Sequence, residues 1–142
     1  TLTTSSAASD VYKRQQDYIL KKINFCLSQV GLVKAINQPV ANLSHGDCRK
    51  LEIAMALASD AQLLLLDEPM AGLGPTETKE MIALLNKLKG QQTILLIEHD
   101  MDAVFALADR ISVLVSGEII ATGEPDKIRR DSAVQSAYLG EM

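Results

Sequence analysis

At 142 residues the chain has room for one modest domain and its core rather than two. With 47% hydrophobic and 23% charged residues, its composition is that of a soluble globular protein and excludes a disordered one. A net charge of −4 and a pI of about 5.1 argue against nucleic acid as a partner, because no basic stripe is present to neutralise phosphates.

Residues 1–15, TLTTSSAASDVYKRQ, are small and polar without periodicity. They read as a non-native or disordered leader, or else a natural flexible one, and lie outside the fold reasoning. No signal pattern of charged then apolar residues opens the chain, and no apolar run approaches the roughly 18 residues of a spanning helix. From residue 17 the pattern changes: Tyr18, Ile19, Ile23, Cys26, Leu27 and Val30 recur at helical spacing, and Gly31 supplies the stop. Cys26 and Cys48 allow one disulfide but form no framework and no metal-ligand spacing, so two reduced thiols is the expectation.

Residues 38–43 form a loop around Pro39, followed by a helix over 48–59 with Leu51, Ala54, Met55 and Ala58 on one face. The run 63–66, LLLL, has the continuous apolarity of a strand buried on both faces. Gly74-Pro75 opens another helix, since proline suits the first turn. Its buried stripe is Met81, Leu84, Leu85 and Leu88, and Gly90 ends it. Residues 93–97 form a second apolar strand, so strand, helix and strand make a βαβ unit with parallel strands and a right-handed crossover. Asp100 then caps a short helix with an apolar face of Met101, Val104, Phe105 and Ala108. Residues 111–115 and 118–121 flank Ser116-Gly117 as a hairpin, and two short helices, near 126–129 and 132–138, close the chain.

In open parallel sheets, ligands gather beyond the carboxyl ends of the strands. The first strand delivers Asp67-Glu68 to that edge and the second delivers Glu98-His99. An acidic residue closing an apolar strand suits Mg²⁺, which takes hard oxygen ligands and bridges nucleotide phosphates. A second carboxylate beside it can orient or deprotonate water. Alone, a strand-end Asp-Glu is more often a cap or solvated turn, and a lone strand-end His more often a hydrogen-bonded structural residue. The joint placement is what points to chemistry. Upstream, Ser44 and Gly46 at a helix start make an anion site from backbone N–H groups and the positive dipole end, although a plain N-cap by Ser44 or Asp47 accounts for the same residues.

Together these residues resemble the ATP-binding cassette (ABC) ATPase family over 17–142. LSHGD at 43–47 is similar to its signature motif, usually LSGGQ, with His45 replacing a glycine and Asp47 the glutamine. LLLLDEP at 63–69 resembles the Walker B strand with its catalytic glutamate, MAGLGP at 70–75 the D-loop, and LLIEHD at 95–100 the switch-histidine segment. The resemblance implies an α/β fold: a partial P-loop NTPase with parallel core strands, flanking helices and a C-terminal hairpin, its N-terminal half missing. Residues 16–60 would hold the end of the helical subdomain with the signature helix, and 61–142 the C-terminal part of the nucleotide-binding core.

The implied cofactors are ATP and Mg²⁺. Asp67 would hold Mg²⁺ through water, Glu68 would act as the base, and His99 would contact the γ-phosphate. Ser44, His45, Gly46 and Asp47 would bind nucleotide held by a second ATPase subunit in a head-to-tail dimer. Ala71, Gly72, Leu73 and Gly74 would form the D-loop, where Gly74 stands in place of the aspartate of many members. The other implied partners are transmembrane permease subunits, which places the protein in the cytoplasm, peripheral on the inner face of the plasma membrane.

Within the family, LSHGD, AGLGP, IEHDMDAVFALADRISVL and the closing AYLGE resemble the ATPase subunits of branched-chain amino acid importers, although lipopolysaccharide-export ATPases share the ending. No G-x-x-x-x-G-K-[ST] occurs in the chain, so the phosphate cradle and its lysine are absent from it. The expectation is a C-terminal fragment, inactive by itself, of an ATP-hydrolysing transport subunit. A non-catalytic interaction module, a lipopolysaccharide-export-type ABC ATPase and a soluble ABC protein of DNA repair or translation are the alternatives. The acidic charge counts against the last of these.

Overall fold

The computed structural model describes residues 3–139, with side chains described from 10 to 138. The chain divides into two compact units, residues 1–96 and 97–142.

The first unit opens with helix α1, Thr3–Gln29, which packs on α2, His45–Ala58. Residues 3–15, expected as a leader, are helical as the opening of α1. The apolar stripe expected from residue 18 is buried only at its end: Cys26 and Val30 are in the core, whereas Tyr18, Ile19 and Ile23 face solvent. Gly31, at φ +78°, ends the helix in the left-handed conformation that glycine adopts without strain. Helix α2 starts three residues earlier than its apolar periodicity, because Ser44 caps it and the polar first turn carries no hydrophobic signal. Lys22 pairs with Asp60 at the far end of α2, and that hydrogen bond raises the lysine above its ordinary pKa.

Strands β1, Leu63–Asp67, and β2, Thr93–Ile97, form a two-stranded parallel sheet. Between them runs α3, Pro75–Lys89, which packs on α2 and buries the expected stripe of Met81, Leu84, Leu85 and Leu88. The strands are not buried on both faces. Leu64 is in the core, but Leu65 is 69% exposed and Leu95 56% exposed. Side chains alternate across a strand, so Leu64 is buried while its neighbours Leu63 and Leu65 are exposed. No helix among the described residues is long and apolar enough to cross a membrane. Cys26 and Cys48 are unbonded thiols.

The second unit holds α4, Met101–Leu107, then the antiparallel hairpin of β3, Ile111–Val115, and β4, Glu118–Gly123, and the short helices α5, Pro125–Arg129, and α6, Ser132–Val134. Ser116 and Gly117, both at positive φ, make the two-residue turn whose twist matches the strands. A bulge follows, where Val113 faces Ala121 but Leu114 faces Ile119. The core is Ile111, Val113, Ile128 and Val134, with Phe105 and Val104 packed against it. On α4 the fully buried residues are Ala103 and Leu107, one row away from the expected face of Met101, Val104, Phe105 and Ala108. The last helix is shorter than expected: α6 passes into a π-helical turn, Gln135–Leu139, from which the Tyr138 hydroxyl donates to the Leu114 carbonyl at 2.7 Å.

Candidate functional site

The start of α2 is built by short-range polar geometry. Ser44 lies in extended conformation, and its hydroxyl accepts the Asp47 N–H at 3.0 Å while its carbonyl accepts that of Cys48 at 2.9 Å. The first amides of a helix have no intrahelical acceptor and sit at its positive end, so those of His45 and Gly46 can meet an anion. Gly46 is buried, and a Cβ there would stand 2.7 Å from Glu77 Oε1. A side chain at 46 would therefore displace the Glu77 carboxylate from its place. Asp47 shares Lys50 with Glu80 of α3: the ammonium is 3.7 Å from Asp47 and 2.7 Å from Glu80.

The loop after β1 comes to the same place. Asp67 ends the strand, exposed to solvent, and Glu68 follows at φ +45°, a conformation that costs a residue with a side chain about 1–3 kcal/mol and gathers at functional sites. The turn is closed by Ala71 N–H on the Glu68 carbonyl at 3.0 Å and Leu73 N–H on the Met70 carbonyl at 3.1 Å. Gly72 takes φ +76°, and Gly74 donates its N–H to Glu77 Oε2 at 3.1 Å. His45 Nε2 lies 3.2 Å from the Ala71 carbonyl. The structure thus brings His45 against Ala71 and Gly72, and Gly46 and Gly74 against Glu77, in the turn that follows Asp67 and Glu68; Ser44 and Asp47 bond within α2. Glu77 escaped the sequence reading, although its place three residues after the residue preceding Pro75 is that of a capping-box glutamate.

His99 belongs to the second unit. Beside it the Glu98 carboxylate is almost wholly buried and turns back to accept the N–H groups of His99 at 3.1 Å and Asp100 at 3.5 Å. Asp100 in turn accepts the Ala103 N–H at 3.1 Å and starts α4. This chain of backbone bonds fixes the turn, while the His99 ring remains 70% exposed.

Among the described residues no three His, Cys, Asp or Glu side chains converge on a metal position. The exposed carboxylate of Asp67, beside Glu68, is a hard oxygen donor of the kind Mg²⁺ takes, an ion that keeps several waters and shares its other ligands with phosphate oxygens.

The chain is similar to known proteins. Residues 2–71 match the family described as ABC transporter, and residues 118–142 match that described as branched-chain amino acid ATP-binding cassette transporter. The chain belongs to the ABC transporter ATPase family.

Among this family's curated members, the chain is 43% identical to the high-affinity branched-chain amino acid transport ATP-binding protein LivG of Escherichia coli, over 92% of this chain and 52% of LivG. It is 39% identical to the corresponding protein BraF of Pseudomonas aeruginosa, with the same coverages. Among solved structures, the ADP conformation of MJ1267, an ATP-binding cassette of an ABC transporter, superposes with a TM-score of 0.78 at 29% identity, over 87% of this chain and 51% of that one. The protein cbiO1 of Clostridium perfringens gives 0.76 at 30% identity, over 85% and 49%. The chain spans about half the length of the relatives it matches. The expected fold class, a P-loop NTPase fold of the ABC ATPase type with parallel strands, holds.

Proposed function

We propose that this chain is the C-terminal part of an ATP-hydrolysing subunit that drives branched-chain amino acid import. The observation that supports the reading is the contact, within the first unit, between the capped start of α2 and the turn leaving Asp67 and Glu68. In this reading the His45 and Gly46 amides, with the Ser44 hydroxyl, receive the γ-phosphate of nucleotide held by a second subunit. Asp67 would hold Mg²⁺ through water. When bound, that ion neutralises charge on the phosphate oxygens. The Glu68 carboxylate orients the attacking water and accepts its proton, and the His99 ring donates toward the γ-phosphate. The assembled protein would sit on the cytoplasmic face of the membrane, dimeric and docked on permease subunits.

The test is Glu68→Gln in the complete gene product assembled with its permease. The amide keeps the shape but cannot take the proton, so turnover falls on the order of 10²–10⁴-fold with ATP affinity kept. Near-normal hydrolysis would make Glu68 a structural turn residue.

One observation favours a second reading, a non-catalytic interaction module: the apolar face of β1 and β2 that this chain leaves open. ATP hydrolysis by the complete gene product separates the two readings, whereas calorimetric titration of the 142-residue chain with Mg-ATP tests the absent phosphate cradle, which both share. No binding is expected, because no G-x-x-x-x-G-K-[ST] lies within its 142 residues.

A further inference from the structure

His45 is the residue by which the motif at 43–47 departs most from glycine-rich sequence, and the anion site described above uses only its backbone. Its ring is engaged elsewhere. Nε2 lies 3.2 Å from the Ala71 carbonyl oxygen. A carbonyl can only accept, so the ring carries its proton on Nε2 and donates. The next residue, Gly72, makes room for that approach: at φ +76°, a Cβ on it would stand 3.1 Å from the same Nε2. A second tie joins the same two loops at the other edge. The Glu77 carboxylate takes the Gly74 N–H at 3.1 Å with one oxygen and lies against the bare Cα of Gly46 with the other.

We propose that His45 is a positioning residue, a side-chain staple that pins the turn 71–74 to the start of α2 so that the anion-facing amides and the Glu68 turn move as one body. The consequence for catalysis rests on the function proposed above. The surface that would meet the second subunit's nucleotide is then held in register with the carboxylate that would act on the subunit's own. The staple itself does not rest on that function. It predicts that the turn is ordered from outside, by a donor 26 residues earlier in the chain.

Three single variants of the 142-residue chain separate donor from bulk: His45→Ala, His45→Phe and His45→Gln, the last restoring an N–H donor. Hydrogen exchange is followed at the turn amides of Ala71 and Leu73 and, as an internal control for folding, in the hairpin of residues 111–123. His45→Ala and His45→Phe should speed exchange at the turn about fivefold, the effect of one lost hydrogen bond, while His45→Gln stays near the parent and the hairpin is unchanged in all three. Unchanged turn exchange in both His45→Ala and His45→Phe would overturn the staple, as would equal loosening in His45→Gln.

The catalytic consequence is read in the complete gene product with its permease. There, kcat should fall, by up to about 100-fold, in His45→Ala and recover in His45→Gln, with KM for ATP little changed. A parent that hydrolyses no ATP would remove the proposed function and leave the staple to be judged by exchange. A parent that hydrolyses ATP, with His45→Ala equally active, would remove the catalytic part of the inference alone.

Discussion

Gly46 and Glu77 show how a motif residue can be held by its own chain before any ligand is considered. A methyl group on Gly46 would stand 2.7 Å from Glu77 Oε1, and that atom is the far end of a flexible side chain. The carboxylate can swing aside, but only by leaving the Gly74 N–H that it caps. Gly46→Ala is therefore expected to cost about 1 kcal/mol through the lost cap. In a Glu77→Ala background the same substitution should cost much less, a non-additivity that a double-mutant cycle by chemical denaturation measures. Full additivity would mean that the glycine matters for backbone freedom and not for room. His99 lies at the opposite extreme. Its ring is largely exposed, so His99→Ala should change stability by no more than about 0.5 kcal/mol while weakening hydrolysis in the complete protein. A large fall in melting temperature with full specific activity would make it a structural residue.

Helix α3 is the element whose pattern and packing agree most closely. Met81, Leu85 and Leu88 are essentially inaccessible to solvent, all on the stripe that its periodicity defines, and Pro75 and Gly90 bound it as their backbone preferences require. Leu85→Ala should cost about 2–5 kcal/mol, the range for a cavity left by a buried leucine, whereas alanine at exposed Lys79 should be nearly neutral. Comparison of the two by thermal melting checks that the stripe carries the element. Legibility fell off where the signal was polar or where burial was decided elsewhere. The first turn of α2, His45-Gly46-Asp47, has no apolar periodicity, so its helix showed only through the capping serine. Helix α4 is seven residues long, too short for periodicity to choose between neighbouring rows, and packing buried Ala103 and Leu107. The π-helical turn ending at Leu139 has no local signal in the sequence. It is the bond from Tyr138 to the Leu114 carbonyl that ties it to the hairpin.

At the scale of the whole chain, the sheet is the unfinished part. Leu63, Leu65, Leu95 and Ile97 present one apolar face of β1 and β2 to solvent, and two strands by themselves leave edges unpaired. Such faces and edges associate with other chains. The 142-residue polypeptide should self-associate with rising concentration, and replacing Leu65 and Leu95 together by lysine should shift it toward monomer, as light scattering after size-exclusion chromatography would record. A monomer at every concentration, with one sharp cooperative melt, would show that the two strands need no further cover.

The main helices and strands after residue 17, the parallel βαβ unit, the hairpin with its Ser116-Gly117 turn, and the family were legible in the chain of residues, because each rests on local signals: apolar period, caps, turn residues and short motifs read within a few positions. Which apolar faces are covered was settled by packing, since burial depends on what lies opposite, and so Leu65 and Leu95 stand exposed despite their sequence context. Packing also decided that His45 reaches Ala71 and that Glu77 backs Gly46, contacts 26 and 31 residues apart in sequence. Such pairings are set by how α2, β1 and α3 pack, and nothing in the local order of residues encodes them.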